Sequence, residues 1–183
     1  MSKRIVGLLI AMMLLISAFY GVQASVAKDK DNGRTILKFD TMIGVLRPYT
    51  GATNPIRGIA GGGAPWAVVG SANGELKQSG ELKVEVRGLV LDPNDPALIA
   101  AGRAGQNPIP SFKATVSCLS VDAAGQPSTV NVATDPFPAT LGLASAGGGN
   151  AEIEANLVLP QPCIAPIIFV GNAGGAWFAA TGF

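Results

Sequence analysis

The sequence predicts an all-β protein, an antiparallel β-sandwich (Ig-like or jelly-roll-like) of about eight strands with one disulfide. Three observations carry this. Glycine (24) and proline (13) are spread along the whole chain and would interrupt long helices repeatedly. Short runs alternate apolar and polar residues, as a half-buried strand does, and no stretch beyond the first 27 residues keeps a helical apolar period. The two cysteines, Cys118 and Cys163, both fall in the strand-rich part.

The chain opens with an address. Lys3 and Arg4 precede an uncharged apolar run from Ile5 to Tyr20, and Val22-Gln23-Ala24 or Ser25-Val26-Ala27 offers a small-residue cleavage pattern. This is the layout of a secretory signal peptide over residues 1–27. An uncleaved anchor is the rival reading, but the run of about 16 residues falls short of the roughly 20 needed to span a bilayer. Residues 28–34 read as a flexible polar leader and residues 35–183 as a single β-sandwich domain. Loss of Lys3 and Arg4 with the signal takes the net charge from +1 to −1. In an oxidising compartment the default for two cysteines is a bridge. Closing about 45 residues, Cys118–Cys163 would contribute about 4 kcal/mol through chain entropy.

The strands follow in order. Thr35 to Val45 supplies one or two. Ser71 to Leu91 holds a hairpin in which Gln78-Ser79-Gly80 forms the loop and Gly80 is left-handed. That register sets Lys77 against Glu81, Glu75 against Lys83, Leu76 against Leu82 and Ala72 against Val86, so charges meet on the wet face and apolar groups on the dry one. A short helix over Pro96 to Arg103 is predicted, with Asp95 as N-cap and Pro96 at N1. Phe112 to Val121 places Phe112, Ala114, Val116 and Cys118 on one face. Ser128 to Thr134 and Ala151 to Leu159 are further strands, separated by a small-residue loop over Ala144 to Asn150. Ile164 to Val170 and Ala176 to Thr181 are joined by the Gly171–Gly175 turn.

Composition excludes several functions. Histidine is absent, which removes His-based triads, His-ligated zinc and histidine pH sensing. A near-zero net charge argues against a nucleic-acid partner. The run Gly58-Ile59-Ala60-Gly61-Gly62-Gly63 lacks the Lys-Ser/Thr ending of a phosphate loop and reads as a flexible loop. Asp92, Asn94 and Asp95 lack the spacing of a calcium loop, and Pro93 and Pro96 make turns of them. No cofactor and no metal are expected. Glu152 with Glu154, and Glu81 with Glu85, share wet strand faces rather than a cleft.

The long segment Arg47 to Pro65 is where binding is expected, since loops of nearly 20 residues are uncommon in compact domains unless functional or mobile. Arg47, Tyr49, Asn54, Arg57 and Trp66 are the candidate binding residues, because arginine and aromatics dominate contact energetics. Trp177 and Phe178 point to opposite faces of a strand, one into the core and the other over a sheet edge or contact surface.

Several segments resemble a group of small secreted bacterial proteins of unknown function: Gly51 to Gly58 (GATNPIRG), Ala114 to Ser120 (ATVSCLS), Asp135-Pro136-Phe137-Pro138, Leu159 to Cys163 (LPQPC) and Gly175-Ala176-Trp177-Phe178. The resemblance covers most of the mature chain and implies no activity. The alternation around Leu82 to Leu91 is also similar to CHRD-type extracellular β-domains, whose histidines this chain lacks. The expectation is therefore a secreted (extracellular or periplasmic), non-catalytic structural or binding module. It keeps no stable membrane anchor after signal cleavage, and its partner is an unidentified extracellular or envelope component. Two alternatives stand beside it. One is a secreted hydrolase using paired carboxylates. The other is a small outer-membrane β-barrel, favoured by the strand number and the terminal Phe183 but not by the 6% aromatic content.

Overall fold

The computed structural model describes residues 33–181. The signal peptide (1–27), most of the leader and Phe183 lie outside the described residues. Two antiparallel sheets face each other across one hydrophobic core. The first has four strands in the order β1-β3-β4-β10, namely β1 (Thr35–Phe39), β3 (Trp66–Lys77), β4 (Glu81–Leu91) and β10 (Ala151–Asn156). The second runs β2-β12-β11-β6-β7, with β2 (Ile43–Gly44), β12 (Trp177–Ala180), β11 (Ile164–Gly171), β6 (Ser111–Val121) and β7 (Pro127–Ala133). β8 (Phe137–Pro138) adds to β6, and β5 (Gln106–Asn107) pairs with β9 (Gly142–Leu143). Eight of these strands have four or more residues. The remaining four are two-residue pairings too short to leave a periodic pattern. The sheets keep separate edges and do not close into a barrel, so the membrane-barrel alternative is set aside.

The hairpin forms in the expected register. Leu76 pairs with Leu82, Glu75 with Lys83 and Ala72 with Val86. Lys77 Nζ reaches Glu81 at 2.8 Å, and Gly80 turns at φ 92°. A side chain at Gly80 would also run into the Leu157 carbonyl, so only glycine fits there. Leu76 and Leu82 are fully buried. Each contributes about 1.5–3 kcal/mol by leaving water.

On the outside of this sheet, one row of side chains crosses all four strands with alternating sign. Lys38 pairs with Glu75, Glu75 with Lys83, and Lys83 with Glu154. Arg87 then bridges Glu85 and Glu152, which stand directly opposite each other.

The core is centred on three aromatics. Trp66 stacks on Phe178 with ring centroids 3.9 Å apart, and Phe112 meets both edge-on. Phe112, Ala114, Val116 and Cys118 share the buried face of β6, as its alternation requires. Cys118 is bonded to Cys163, with their Cα atoms 4.9 Å apart, which ties β6 to the start of its neighbour β11. The predicted helix is α1 (Pro96–Ala100). Asp95 caps it by accepting from Leu98 N at 3.0 Å. It stops three residues before Arg103 because Gly102 turns left-handed at φ 64°. The small-residue loop after β9 contains one 3-10 turn, Ala144–Ala146.

Candidate functional site: a strapped loop and an apolar cleft

The segment Arg47–Pro65 is a strap laid across the outer face of the five-strand path β2-β12-β11-β6-β7. Its neck is closed by Trp66 N donating to Val45 O at 2.9 Å. Its return limb runs beside β12: Trp177 N donates to Ala60 O at 3.0 Å, and Gly62 N to Trp177 O at 2.8 Å. Gly51 N donates to Gly62 O, and Gly61 N to Gly51 O, so the two limbs also hold each other. The glycines are there for close approach. A Cβ on Gly62 would lie 2.8 Å from the Phe178 ring, and one on Gly61 would strike the Tyr49 carbonyl. The expectation of a flexible glycine loop is thereby corrected, since the segment is hydrogen-bonded at nearly every turn.

Arg57 pins the far end. Its guanidinium donates to Ser117 O at 2.9 Å and to Ala165 O at 2.8 Å, while its own carbonyl accepts from Asn131 Nδ2 at 3.1 Å. The residue sits in the left-handed region at φ 50°, a conformation costing about 1–2 kcal/mol for a residue with a side chain. Two charge-assisted hydrogen bonds, each contributing about 1.5–3 kcal/mol, offset that strain. The Ala165 carbonyl is available because β11 breaks register against β6 between Ile164 and Ile167.

At the near end, Arg47 donates to both carboxylate oxygens of Asp95, at 3.2 and 3.4 Å. The same carboxylate caps α1. The Arg47 guanidinium first, and the backbone N–H groups of Leu98 and Ala97 with it, hold the Asp95 carboxyl below its ordinary value. Asp92 Oδ1 accepts from Asn94 N, so this acidic cluster makes turns and a cap, as its prolines suggest.

Between strap and sheet lies a cleft of about 340 Å³. Its floor is Ile167, Phe169 and Trp177, and its walls include Ile43, Leu46, Tyr49 and Ile56, with Arg47 at the margin. Ile43, Leu46 and Tyr49 remain about half exposed, so an apolar rim continues into an apolar hollow. Small-molecule sites are concave, mostly apolar and at least about 300 Å³. No carboxylate lines this cleft among the described residues. The candidate acid pairs Glu152/Glu154 and Glu81/Glu85 lie on the outer face of the other sheet, engaged with Lys77, Lys83 and Arg87. The acids of both pairs therefore border shallow, solvent-facing hollows, and each is neutralised by a cation.

The five candidate residues do not converge. Arg47 and Tyr49 flank the cleft. Asn54 is exposed and braces the strap by donating to Pro48 O at 3.1 Å. Arg57 is engaged in anchoring. Trp66 is 3% exposed and belongs to the core, which corrects its assignment to a binding surface. Both Trp177 and Phe178 are buried as well: Phe178 by the core, Trp177 by the strap. Trp177 Nε1 and Ser117 Oγ, both beneath the strap, are buried without a hydrogen-bond partner.

The apolar floor was missed at the level of residues, yet a signal existed. Ile167-Ile168-Phe169-Val170 is an uninterrupted apolar run, which marks a strand covered on both faces.

Compared with protein-family models, with curated proteins and with solved structures, the chain finds no match.

Proposed function

We propose that the protein is an exported, non-catalytic β-sandwich that binds an apolar ligand in the cleft between the strap and the six-stranded sheet. The observation that carries this is the continuity of a half-exposed apolar rim (Ile43, Leu46, Tyr49) with an apolar floor (Ile167, Phe169) in a hollow of ligand size. An exposed apolar surface that leads into a concavity is a recognition feature more than a folding one. Export is supported by the signal-like residues 1–27, by a formed disulfide and by the resemblance to small secreted bacterial proteins. No helix among the described residues is long and apolar enough to cross a membrane.

Trp177 provides a built-in probe, because it forms part of the cleft. Titration with medium-chain fatty acids, alkyl alcohols and an environment-sensitive apolar dye should produce a saturable change in tryptophan emission. Ile167→Arg, which places a charge on the floor, should abolish that change while leaving the far-ultraviolet spectrum intact. Absence of saturable binding by every probe, or equal binding by Ile167→Arg, refutes the reading. Sequencing the N terminus of protein recovered from the periplasm or medium should begin near Lys28. Retention in the cytoplasm with Met1 intact would oppose export.

A further inference from the structure

The two sheets expose four edges, and they are not alike. β1 carries Lys38, with Arg34 just before it, and β10 carries Glu152 and Glu154, charges of the kind that discourage edge-to-edge pairing. β2 is two residues long. β7 (Pro127–Ala133, PSTVNVA) has seven residues, no charge, no left-handed residue and an unbroken register against β6. Its only proline stands at the first position. It thus lacks the devices that protect the other edges.

Its hydrogen-bonding parity is settled by the hairpin. Asp122 N donates to Gln126 O and Thr134 N to Ala114 O, each at 2.9 Å. In an antiparallel ladder the bonded pairs alternate, so the even-numbered residues of β7 turn their backbone groups to β6. The N–H and C=O groups of Thr129, Asn131 and Ala133 therefore point out of the sheet, and all three residues are exposed. On the core-facing side, Val130 and Val132 are only half-buried.

We infer that β7 is a self-association surface whose partner is a second copy of this chain, added antiparallel across a two-fold axis at Asn131. In this register Asn131 faces its counterpart, Thr129 faces Ala133 of the second copy, and Val130 faces Val132 of the second copy. All the outward backbone groups of Thr129, Asn131 and Ala133 are then paired, about six bonds in total, and Pro127 stays outside the ladder. The valines that close the core incompletely at this edge cover each other. No charge lies on β7 itself, and Arg57, whose carbonyl Asn131 holds, turns its guanidinium inward to Ser117 O and Ala165 O. A two-fold contact is self-complementary and closes, so association stops at the dimer. The axis is perpendicular to the joined sheet, and the cleft of each copy therefore opens on the same side.

The test uses the mature protein. Light scattering with size-exclusion chromatography at about 100 µM should give the mass of a dimer that dissociates on dilution, since an edge contact of this size is weak. Thr129→Pro removes an outward N–H without touching the bonds to β6, and should weaken association by at least about tenfold with an unchanged melting curve. Asn131→Cys, placed on the axis, should give a covalent dimer on mild oxidation that reductant reverses. Val158→Cys, at a side chain 91% exposed and outside every strand, should not. A wild-type monomer at that concentration overturns the inference. So does a dimer that survives Thr129→Pro unchanged, or failure of Asn131→Cys to cross-link. These outcomes are independent of whether the cleft binds apolar probes.

Discussion

Two arginines in one segment have different employments, and their chemistry shows why. Arg57 spends its fork on two backbone carbonyls that no lysine could span as a pair. Arg57→Ala leaves a left-handed residue with nothing to hold it there, so the strap should detach at its far end. The expected loss is about 1–3 kcal/mol in urea unfolding, together with a rise in Trp177 quenching by acrylamide.

Arg47 is tied to a titratable partner instead. The Asp95 carboxyl is held below its ordinary value of 3.8 in the folded protein. A depressed carboxyl contributes stability that is fully present above its unfolded value and lost as pH falls through its folded one. Acid titration should therefore loosen the Arg47 end of the strap and fray α1 only below about pH 3.8, and Asp95→Asn should remove that transition. Tyr49 emission followed between pH 5 and 2 reads it directly. Lys77 and Glu81 form a second pair, with Lys77 raised and Glu81 lowered by their mutual hydrogen bond.

The elements were legible in proportion to how local their cause is. The β3–β4 hairpin could be read residue by residue because turn chemistry, charge pairing and alternation all agree within twenty residues of one another. β6 and β10 were equally clear from alternation alone. The strap was visible only as a region. Its covering role depends on contacts with β6, β11 and β12, which lie 60 to 108 residues away in sequence at Ser117 and Ala165. Composition marked Arg47, Tyr49, Asn54, Arg57 and Trp66 as one group, whereas the fold distributes them among cleft, anchor and core. Trp66 joins that group by pattern, because a tryptophan beginning a strand after a loop looks like a rim residue, and only the stack on Phe178 places it inside.

At this scale the sharpest test is steric. Gly62→Ala puts a methyl group against the Phe178 ring and Trp66 Nε1, and should cost about 1–3 kcal/mol by overpacking, measured by thermal melting. Gly63→Ala, one residue on, meets open space and should be nearly neutral.

At the level of the whole molecule, the sandwich needed little beyond the frequency of glycine and proline, the period-two runs and two well-placed cysteines. The sheet order was not readable, because strands adjacent in the chain switch sheets at β1 to β2, at β2 to β3 and at β10 to β11. The cystine joins strands that already pair, so its contribution falls mainly on the unfolded chain. Cys118→Ala with Cys163→Ala should lower stability by about 2–4 kcal/mol while leaving the spectrum of the folded state unchanged.

The anchoring of Arg57 has a practical corollary. A trypsin-like protease must draw that side chain into its own specificity pocket before it can cut toward Gly58. It cannot do so while two carbonyls of the sheet hold the guanidinium. Digestion at this one bond would therefore count the molecules whose strap has lifted. A compound that fills the hollow beneath should slow the scission, which turns a nuisance of purification into a gauge of occupancy.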